Sequence, residues 1–207
     1  MIAVQGIGWM TESACGQIRA GRTFPLDESL SLGARARQEG WFRYPVKNFG
    51  RFDAPTQKIC CLTALALADA GIEYAEGKKA DVGLMGTRPL GCLEAHERFF
   101  RDYIEGGRSL SRANLFIYTL PSSPLAEAAV HFGLQGPLMF VQTPRNPLAS
   151  LVTLATGMIR RGEAGRMLVF RLDEGPDLCL VLGPSDSASD SGSDGPRVPQ
   201  QLENLTQ

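Results

Sequence analysis

The sequence lacks the features that mark several large classes of protein. It contains no apolar run near the roughly 18 residues that a membrane-spanning helix needs, and the opening residues 1–4 carry no charged leader. It also lacks an excess of charge of one sign, since 21 Lys and Arg stand against 22 Asp and Glu. Such a balance gives no basic footprint for nucleic acid and no general attraction to an anionic membrane. We therefore expect neither nucleic acid nor membrane as a partner.

Cysteine is scarce and irregularly spaced. The five cysteines are an odd number and form no CxxC pair, so they suggest no disulfide framework. They are Cys15, Cys60, Cys61, Cys92 and Cys179. Cys60 and Cys61 are neighbours in a predicted helix, where adjacent side chains point apart, and this favours burial over redox chemistry. We expect a reducing, cytoplasmic setting.

Most motifs of catalysis and cofactor binding are missing. Gly6-Ile7-Gly8 follows a predicted strand, but Thr11 stands where the dinucleotide fingerprint needs its third glycine. Gly86 and Gly91 have the spacing of a phosphate-binding loop, yet a cysteine replaces the lysine that such a loop requires. Only two histidines are present, which leaves little for a catalytic triad or a three-histidine metal site. We predict no cofactor and no metal.

A change of composition divides the chain. Residues 185–207 are rich in Ser, Asp and Gly and have almost nothing apolar to bury. Such a segment cannot offset an ordering cost of roughly 1–2 kcal/mol per residue for the backbone. We predict a folded domain over residues 1–184, long enough for a substantial core, and a disordered tail over residues 185–207.

Strands and helices alternate within residues 1–184. The predicted strands are residues 2–9, 81–87, 137–143, 166–172 and 177–182, and the predicted helices are residues 56–70, 93–104, 125–132 and 147–161. Residues 21–50 look like an irregular surface excursion. Asn146 and Pro147 give the clearest start signal, an N-cap followed by a proline at the first helical position. The alternation predicts an α/β layered fold whose last two strands form an antiparallel pair.

One pair of residues fits nucleophilic chemistry. Cys92 and His96 are four residues apart on one face near the start of a predicted helix, where the positive dipole end favours a thiolate. The pair is either a Cys–His dyad or two surface positions of an amphipathic helix, with Cys92 packed as a small apolar residue. His131 ends a short predicted helix, where a capping or surface role is the simpler interpretation.

The order of the segments also carries a resemblance. The segments that carry it are Val4–Gly8 with Thr11, then residues 49–57, 64–72, 81–87, 118–121 and 132–137, and finally the helix through residues 157–164 with the last strand pair. In this order the chain resembles the N-terminal half of the beta-ketoacyl synthases, the condensing enzymes of the thiolase-like superfamily. The resemblance covers residues 1–184 and implies a mainly parallel five-stranded sheet with helices on both faces.

Two departures from that family bear on catalysis. In its active members, a Thr-Ala-Cys-like turn places the nucleophilic cysteine at a helix start, where the dipole lowers the pKa of the thiol. Here residues 142–147 contain no cysteine, and Arg145 occupies the expected position, where a guanidinium cannot be acylated. The family's C-terminal half, with its decarboxylating residues, has no counterpart in these 207 residues. We expect no catalytic residues and no condensation by this chain alone.

The same turn has two interpretations. Arg145 is either a drifted position in a degenerate site, or part of an anion site formed by Thr143, Arg145 and Asn146 with the first N–H groups of the helix. A carboxylate or a phosphate is the anion that such a site would take.

The resemblance also implies partners. In this family two homologous halves pack against each other. One half without the other would expose a helical face and the strand edge near residues 138–143. We therefore expect a homodimer or a heterodimer with a full-length ketosynthase. Acyl carrier protein, which is acidic, is the further partner that the family implies. Arginines in two groups could offer local basic patches for it, although ordinary solvated helix termini are the simpler interpretation of both groups. These are Arg98, Arg101, Arg108 and Arg112, and Arg160, Arg161 and Arg166.

The sequence thus favours a non-catalytic, ketosynthase-like accessory protein of fatty acid or polyketide-type biosynthesis. Two alternatives stay open. One is a small acyltransferase or thioesterase-like enzyme that uses Cys92 or a serine near Ser122 and Ser123. The other is a scaffold remnant without a ligand.

Overall fold

The computed structural model describes residues 1–27, 29–108, 112–142 and 146–185. The strands in this part are β1 (Ile2–Met10), β2 (Ala14–Gln17), β3 (Arg22–Pro25), β4 (Val82–Thr87), β5 (Leu138–Phe140), β6 (Arg166–Arg171) and β7 (Asp177–Pro184). The helices are α1 (Leu32–Gln38), α2 (Ala54–Asp69), α3 (Leu93–Glu105), α4 (Ala113–Ile117), α5 (Ser123–Phe132) and α6 (Pro147–Arg160), with a 3₁₀ turn at Phe49–Arg51. The tail predicted over residues 185–207 lies outside the described residues except for Ser185.

All of these strands form one sheet in the order β3-β2-β1-β7-β6-β4-β5. β4 pairs in parallel with β5 and β6, whereas β7 is antiparallel to both β6 and β1. Of the five predicted strands, four therefore run in one direction: β1, β6, β4 and β5. The fifth, β7, runs in the opposite direction. The predicted α/β class, the dominant strand direction and the antiparallel final pair are confirmed.

The predicted number of strands is wrong. Within the described ranges the sheet has seven strands, because β2 and β3 extend it beyond β1 as antiparallel additions. Each has only four residues, too few for an alternating pattern to stand out in the sequence. The turn into β2 is fixed by Thr11, whose backbone N–H donates to the carbonyl of Ala14 over 2.7 Å. Residues 21–50 are likewise more ordered than predicted, since they hold β3 and α1.

Helices cover both faces of the sheet, as predicted. Alternate residues of β6 separate the two cores: Leu168 and Phe170 pack toward α2 and α5, while Met167 and Val169 pack toward α6. β7 alternates in the same way, which is the period-two pattern of a strand buried on both faces.

The Gly6-Ile7-Gly8 motif serves helix packing. A Cβ at Gly6 would lie 2.5 Å from the backbone nitrogen of Ala70, and one at Gly8 would lie 2.7 Å from the carbonyl oxygen of Leu62. The two glycines therefore let α2 approach the backbone of β1 more closely than any side chain would allow. Cys60 and Cys61 of this helix are fully buried, which confirms their predicted structural role.

Among the described residues, no helix combines the length and the apolar character that crossing a membrane requires.

Candidate functional site

A cleft opens at the carboxyl ends of β4, β5 and β6. Its apolar wall consists of side chains from α2, the α4–α5 region and the strand ends, namely Ile59, Leu115, Tyr118, Leu125, Phe140 and Phe170. In α/β sheets, ligands bind beyond the carboxyl ends of the parallel strands, where the connecting loops diverge. This cleft is the candidate site for an apolar ligand.

Cys92 lies in the wall of the cleft, together with the charged side chains Arg88, Glu94 and Arg98. It is the N-cap of α3. Its sulfur lies 3.3 Å from Nδ1 of His96, one helical turn further on, and 2.9 Å from the carbonyl oxygen of Thr119. The structure therefore brings together the two residues whose spacing suggested a pair.

The thiolate that the helix dipole favours, and that the dyad interpretation invokes, is not stabilised at this position. Burial raises the pKa of the Cys92 thiol above its ordinary value, and the backbone N–H of Cys92 and the nearby positive charge of Arg88 offset this only in part. The thiol also donates a hydrogen bond to the Thr119 carbonyl, which stabilises the protonated form. At neutral pH the sulfur is a thiol that needs a base before it can attack.

A charge network holds the rim of the cleft. The Arg88 guanidinium, whose side chain is only 13% exposed, pairs with Asp173 and with Glu94, the latter at 3.0 Å. Lys58 of α2 pairs with Asp177 at 2.8 Å and with Asp173 at 3.7 Å. Burial alone would lower the pKa of Lys58, but these two carboxylates outweigh it and raise that pKa. The network ties α2, the end of β4 and the β6–β7 turn together.

Sequence reasoning missed this network. Arg88 and Asp173 lie 85 residues apart, and neither belongs to a recognisable motif. The one signal was that both follow predicted strands whose carboxyl ends meet at one edge of the sheet.

The turn before α6 is described only in part. Thr143 and Arg145 lie outside the described residues. Asn146 is exposed, and α6 begins at Pro147 as predicted. Asn146 does not cap the helix through its side chain, because its backbone is left-handed (φ 43°, ψ 58°) rather than extended, as capping geometry requires. The Gln142 amide donates to the carbonyl of Pro89 over 2.8 Å and so ties this connection to the rim of the cleft.

His131 is not the surface or capping residue that the sequence suggested. Its ring packs among aromatic side chains, with centroids 4.5 Å from Tyr44 and 4.7 Å from Phe132, and its Nε2 is buried without a hydrogen-bond partner among the described residues. Burial lowers the pKa of His131 to about 4, although the charge of Glu76 opposes the shift. The residue packs in this aromatic cluster and does not line the cleft of Cys92.

The two basic patches are partly neutralised. Arg112 pairs with Asp102 at 2.6 Å, and Arg161 pairs with Glu163 at 2.5 Å. Arg166 donates instead to the side-chain oxygen of Gln5 over 2.8 Å. Arg98 remains in the wall of the cleft.

The serine alternative gains no support from the geometry. Ser123 donates its hydroxyl to the carbonyl of Ile117 over 2.6 Å. Within the described ranges, no histidine hydrogen-bonds the hydroxyl of Ser122 or Ser123, and no group of three metal-ligating side chains is formed.

No family model matches the chain. Over 184 residues it is 29% identical to the tetracenomycin polyketide synthase ketoacyl synthase alpha subunit of Streptomyces glaucescens, an alignment that covers 79% of this chain and 43% of that protein. Over 129 residues it is 27% identical to the putative polyketide beta-ketoacyl synthase 1 of Streptomyces virginiae, with 59% of this chain and 30% of that protein covered. The chain thus spans less than half the length of these curated relatives.

Solved structures give the same picture at the level of the fold. The ishigamide ketosynthase/chain length factor superposes with a TM-score of 0.63 at 14% identity, covering 90% of this chain and 63% of that one. The fold is the thiolase-like fold of the ketosynthases. A beta-ketoacyl synthase from Burkholderia phymatum STM815 follows with a TM-score of 0.59 at 15% identity, covering 89% and 59% of the two chains. The AntDE:AntF complex, a type II polyketide synthase acyl-carrier protein with its ketosynthase, gives a TM-score of 0.56 at 14% identity, covering 88% and 57%.

Proposed function

We propose that this chain is a ketosynthase-like accessory protein of polyketide-type or fatty acid biosynthesis that does not itself carry out condensation. The observation that carries the proposal is the connection between β5 and α6. Residues 141–146, which lead from the strand into the helix, contain no cysteine, and Arg145 stands where the resemblance expects the nucleophile. A guanidinium stays protonated and cannot form a thioester.

The other thiols do not replace the missing one. Four of the five cysteines are buried in the core: Cys15, Cys60, Cys61 and Cys179. Burial raises the pKa of Cys15 and of Cys60 to about 12, and it raises that of Cys61 and Cys179 well above the ordinary value. Cys92 starts a different helix, α3, so it does not take the place of a cysteine at the start of α6.

Two surfaces that stay exposed among the described residues support an accessory role in a dimer. β5 is an edge strand of three residues, and its central Met139 is 36% exposed. α3 has no fully buried residue, and three of its apolar side chains are about half exposed or more. We call these three, Leu93, Phe100 and Ile104, the α3 stripe. Open strand edges and apolar patches of this kind are normally covered.

The proposed covering partner is a full-length ketosynthase, with a second copy of this chain as the alternative. This agrees with the kinds of protein that the chain resembles: a ketoacyl synthase alpha subunit and a ketosynthase/chain length factor. Acyl carrier protein is proposed as the transient partner. Because Arg112 and Arg161 already pair with carboxylates, Arg98 and Arg101 of α3 are the better candidates for contacts with it.

Purification from the native host with a tag on this chain tests the proposal. We expect a ketosynthase, identified by mass spectrometry and present in a stoichiometric amount, to elute with it. The variant Phe100→Glu in the α3 stripe should lose that partner while remaining folded, whereas the matched control Val130→Glu on α5 should keep it. A wild-type protein that elutes alone, with a strictly monomeric mass at micromolar concentration, would contradict the proposal.

A further inference from the structure

We propose that Cys92 and His96 form a nucleophilic pair that accepts an acyl group from an acyl thioester and holds it covalently in the cleft. This goes beyond the accessory role, which requires no covalent step, and takes only the thioester class of the ligand from it. The site differs from the α6 turn both in helix and in sequence.

The geometry supplies a nucleophile, a base and a binding wall. The sulfur of Cys92 lies 3.3 Å from Nδ1 of His96, within reach for proton transfer involving a sulfur atom. The wall beside it is apolar and aromatic, formed by residues such as Ile59, Leu125 and Phe170. An apolar wall of this kind can contact the hydrocarbon part of an acyl group.

The chemistry balances without a further reactant. Nδ1 of His96 takes the proton from the Cys92 sulfur, and the sulfur attacks the carbonyl carbon of the thioester. The new C–S bond forms as the bond to the donor sulfur breaks, and the departing thiolate takes the proton from His96. The products are S-acyl-Cys92 and a free donor thiol.

A base is needed because the thiol is not ionised by its surroundings. Burial raises the pKa of Cys92, and its S–H donates to the Thr119 carbonyl at 2.9 Å. Nδ1 of His96 also lies 3.1 Å from the carbonyl oxygen of Cys92, a contact that is a hydrogen bond only when Nδ1 carries the proton. The imidazole must therefore carry its proton on Nε2 instead before Nδ1 can take one from the thiol.

The remaining cysteines provide an internal control. All four are buried in the core, whereas Cys92 is partly exposed in the cleft. A thioester that reacts through this site should therefore modify a single residue of the folded protein. Unfolding should expose all five thiols and remove that selectivity.

The experiment is acylation of the purified full chain by the hexanoyl thioester of N-acetylcysteamine, followed by intact mass measurement and peptide mapping. We expect one hexanoyl group, on Cys92. The group should be absent in Cys92→Ser, and it should form at least about ten-fold more slowly in His96→Ala, with added imidazole restoring the rate. Glu97→Gln, an exposed neighbour on the same helix, is the matched control and should react like the wild type.

Three results would overturn the inference. They are an adduct on any other residue, no adduct on the folded protein under conditions that acylate the unfolded chain, and a rate unchanged by His96→Ala. None of these results contradicts the accessory role, because that role is tested separately, by whether a ketosynthase elutes with the tagged chain. Conversely, acylated Cys92 in a protein that has no such partner would support the pair and contradict the accessory role.

Discussion

At the scale of single residues, Asp69 stabilises the fold through hydrogen bonds that no sequence motif predicts. From the last turn of α2, its carboxylate accepts backbone N–H bonds from Ile7 at 2.8 Å, Arg19 at 3.1 Å and Ala20 at 2.8 Å. It is 9% exposed. One side chain thus satisfies three donors that helix and sheet ladders leave unpaired.

Asp69→Ala should therefore destabilise the protein by about 3–5 kcal/mol, since each unsatisfied buried donor costs roughly 1–3 kcal/mol and the chain relaxes in part. Urea unfolding measures the loss. Asp53→Ala, which removes an N-cap bond to the Thr56 N–H, is the comparison and should cost only about 1 kcal/mol. Equal losses in the two variants would contradict the role given to Asp69.

The lowered pKa of His131 predicts that the stability of the fold depends on pH. Its pKa is about 4 in the fold against an ordinary value of 6.5, so the unfolded chain binds the proton more tightly. The stability is complete above pH 6.5 and falls as the pH drops from 6.5 toward 4. After a discount for partial exposure, the loss is about 1–2 kcal/mol.

Urea unfolding of wild type and His131→Phe at pH 7.5 and pH 5 measures this effect. The variant should lose less stability between the two pH values, because it has no imidazole to protonate. Glu76 and the hydroxyls of Tyr44 and Tyr74 also face this cluster, but they remain in both proteins. An identical loss in the two proteins would assign the pH dependence to other groups.

Single residues also show which contacts can be predicted from the sequence and which cannot. The spacing of Cys92 and His96 predicted their contact, because i and i+4 positions share a helix face. The helix dipole alone favours a thiolate at Cys92, but burial and the Thr119 carbonyl, which come from elements distant in sequence, keep the thiol protonated. Arg88 and Asp173 were missed for the same reason.

At the scale of elements, the contact of α2 with β1 depends on glycine. Gly8→Ala would place a methyl group 2.7 Å from the Leu62 carbonyl and 2.9 Å from the Ala66 nitrogen, so the helix must move away from the sheet. We expect a loss of about 1–3 kcal/mol. Gly50→Ala meets nothing within 4 Å and should be near neutral. Thermal unfolding compares the two, and a harmless Gly8→Ala would contradict the close packing.

The α3 stripe gives the second prediction at this scale. Phe100 is 56% exposed, so Phe100→Glu should change the free energy of unfolding by no more than about 0.5 kcal/mol. It should nevertheless abolish self-association, if a second copy is what covers the stripe. Val130→Glu on α5, where the valine is 81% exposed, is the matched control and should leave the mass unchanged. Light scattering at micromolar concentration measures both, and a Phe100→Glu protein that keeps its oligomeric mass would exclude α3 from the interface.

The elements differ in how far the sequence predicts them. α2 and β7 were predicted well because long apolar patterns and flanking glycines mark them. β2, β3 and α1 were missed because each is held by turns and caps rather than by periodicity. The hydrogen bond from the Ala34 N–H to the Ser31 hydroxyl at the start of α1 is one example.

At the scale of the whole molecule, the alternation of strands and helices predicted the fold class, while the order of the strands needed the structure. β7 lies between β6 and β1, so the chain ends of the described domain meet: Ile2 pairs with Pro184. Nothing local in the sequence reports such a pairing. The resemblance to the ketosynthases came from the order of segments, and the relatives and solved structures that match the chain are proteins of that kind.

Formation of a β-ketoacyl thioester tests the central claim most directly. The purified chain is incubated with hexanoyl and malonyl thioesters, alone and together with the ketosynthase that elutes with it. The account predicts no product above the protein-free background from the chain alone, and product from the pair only while the ketosynthase keeps its own nucleophilic cysteine. Turnover by the isolated chain would contradict it.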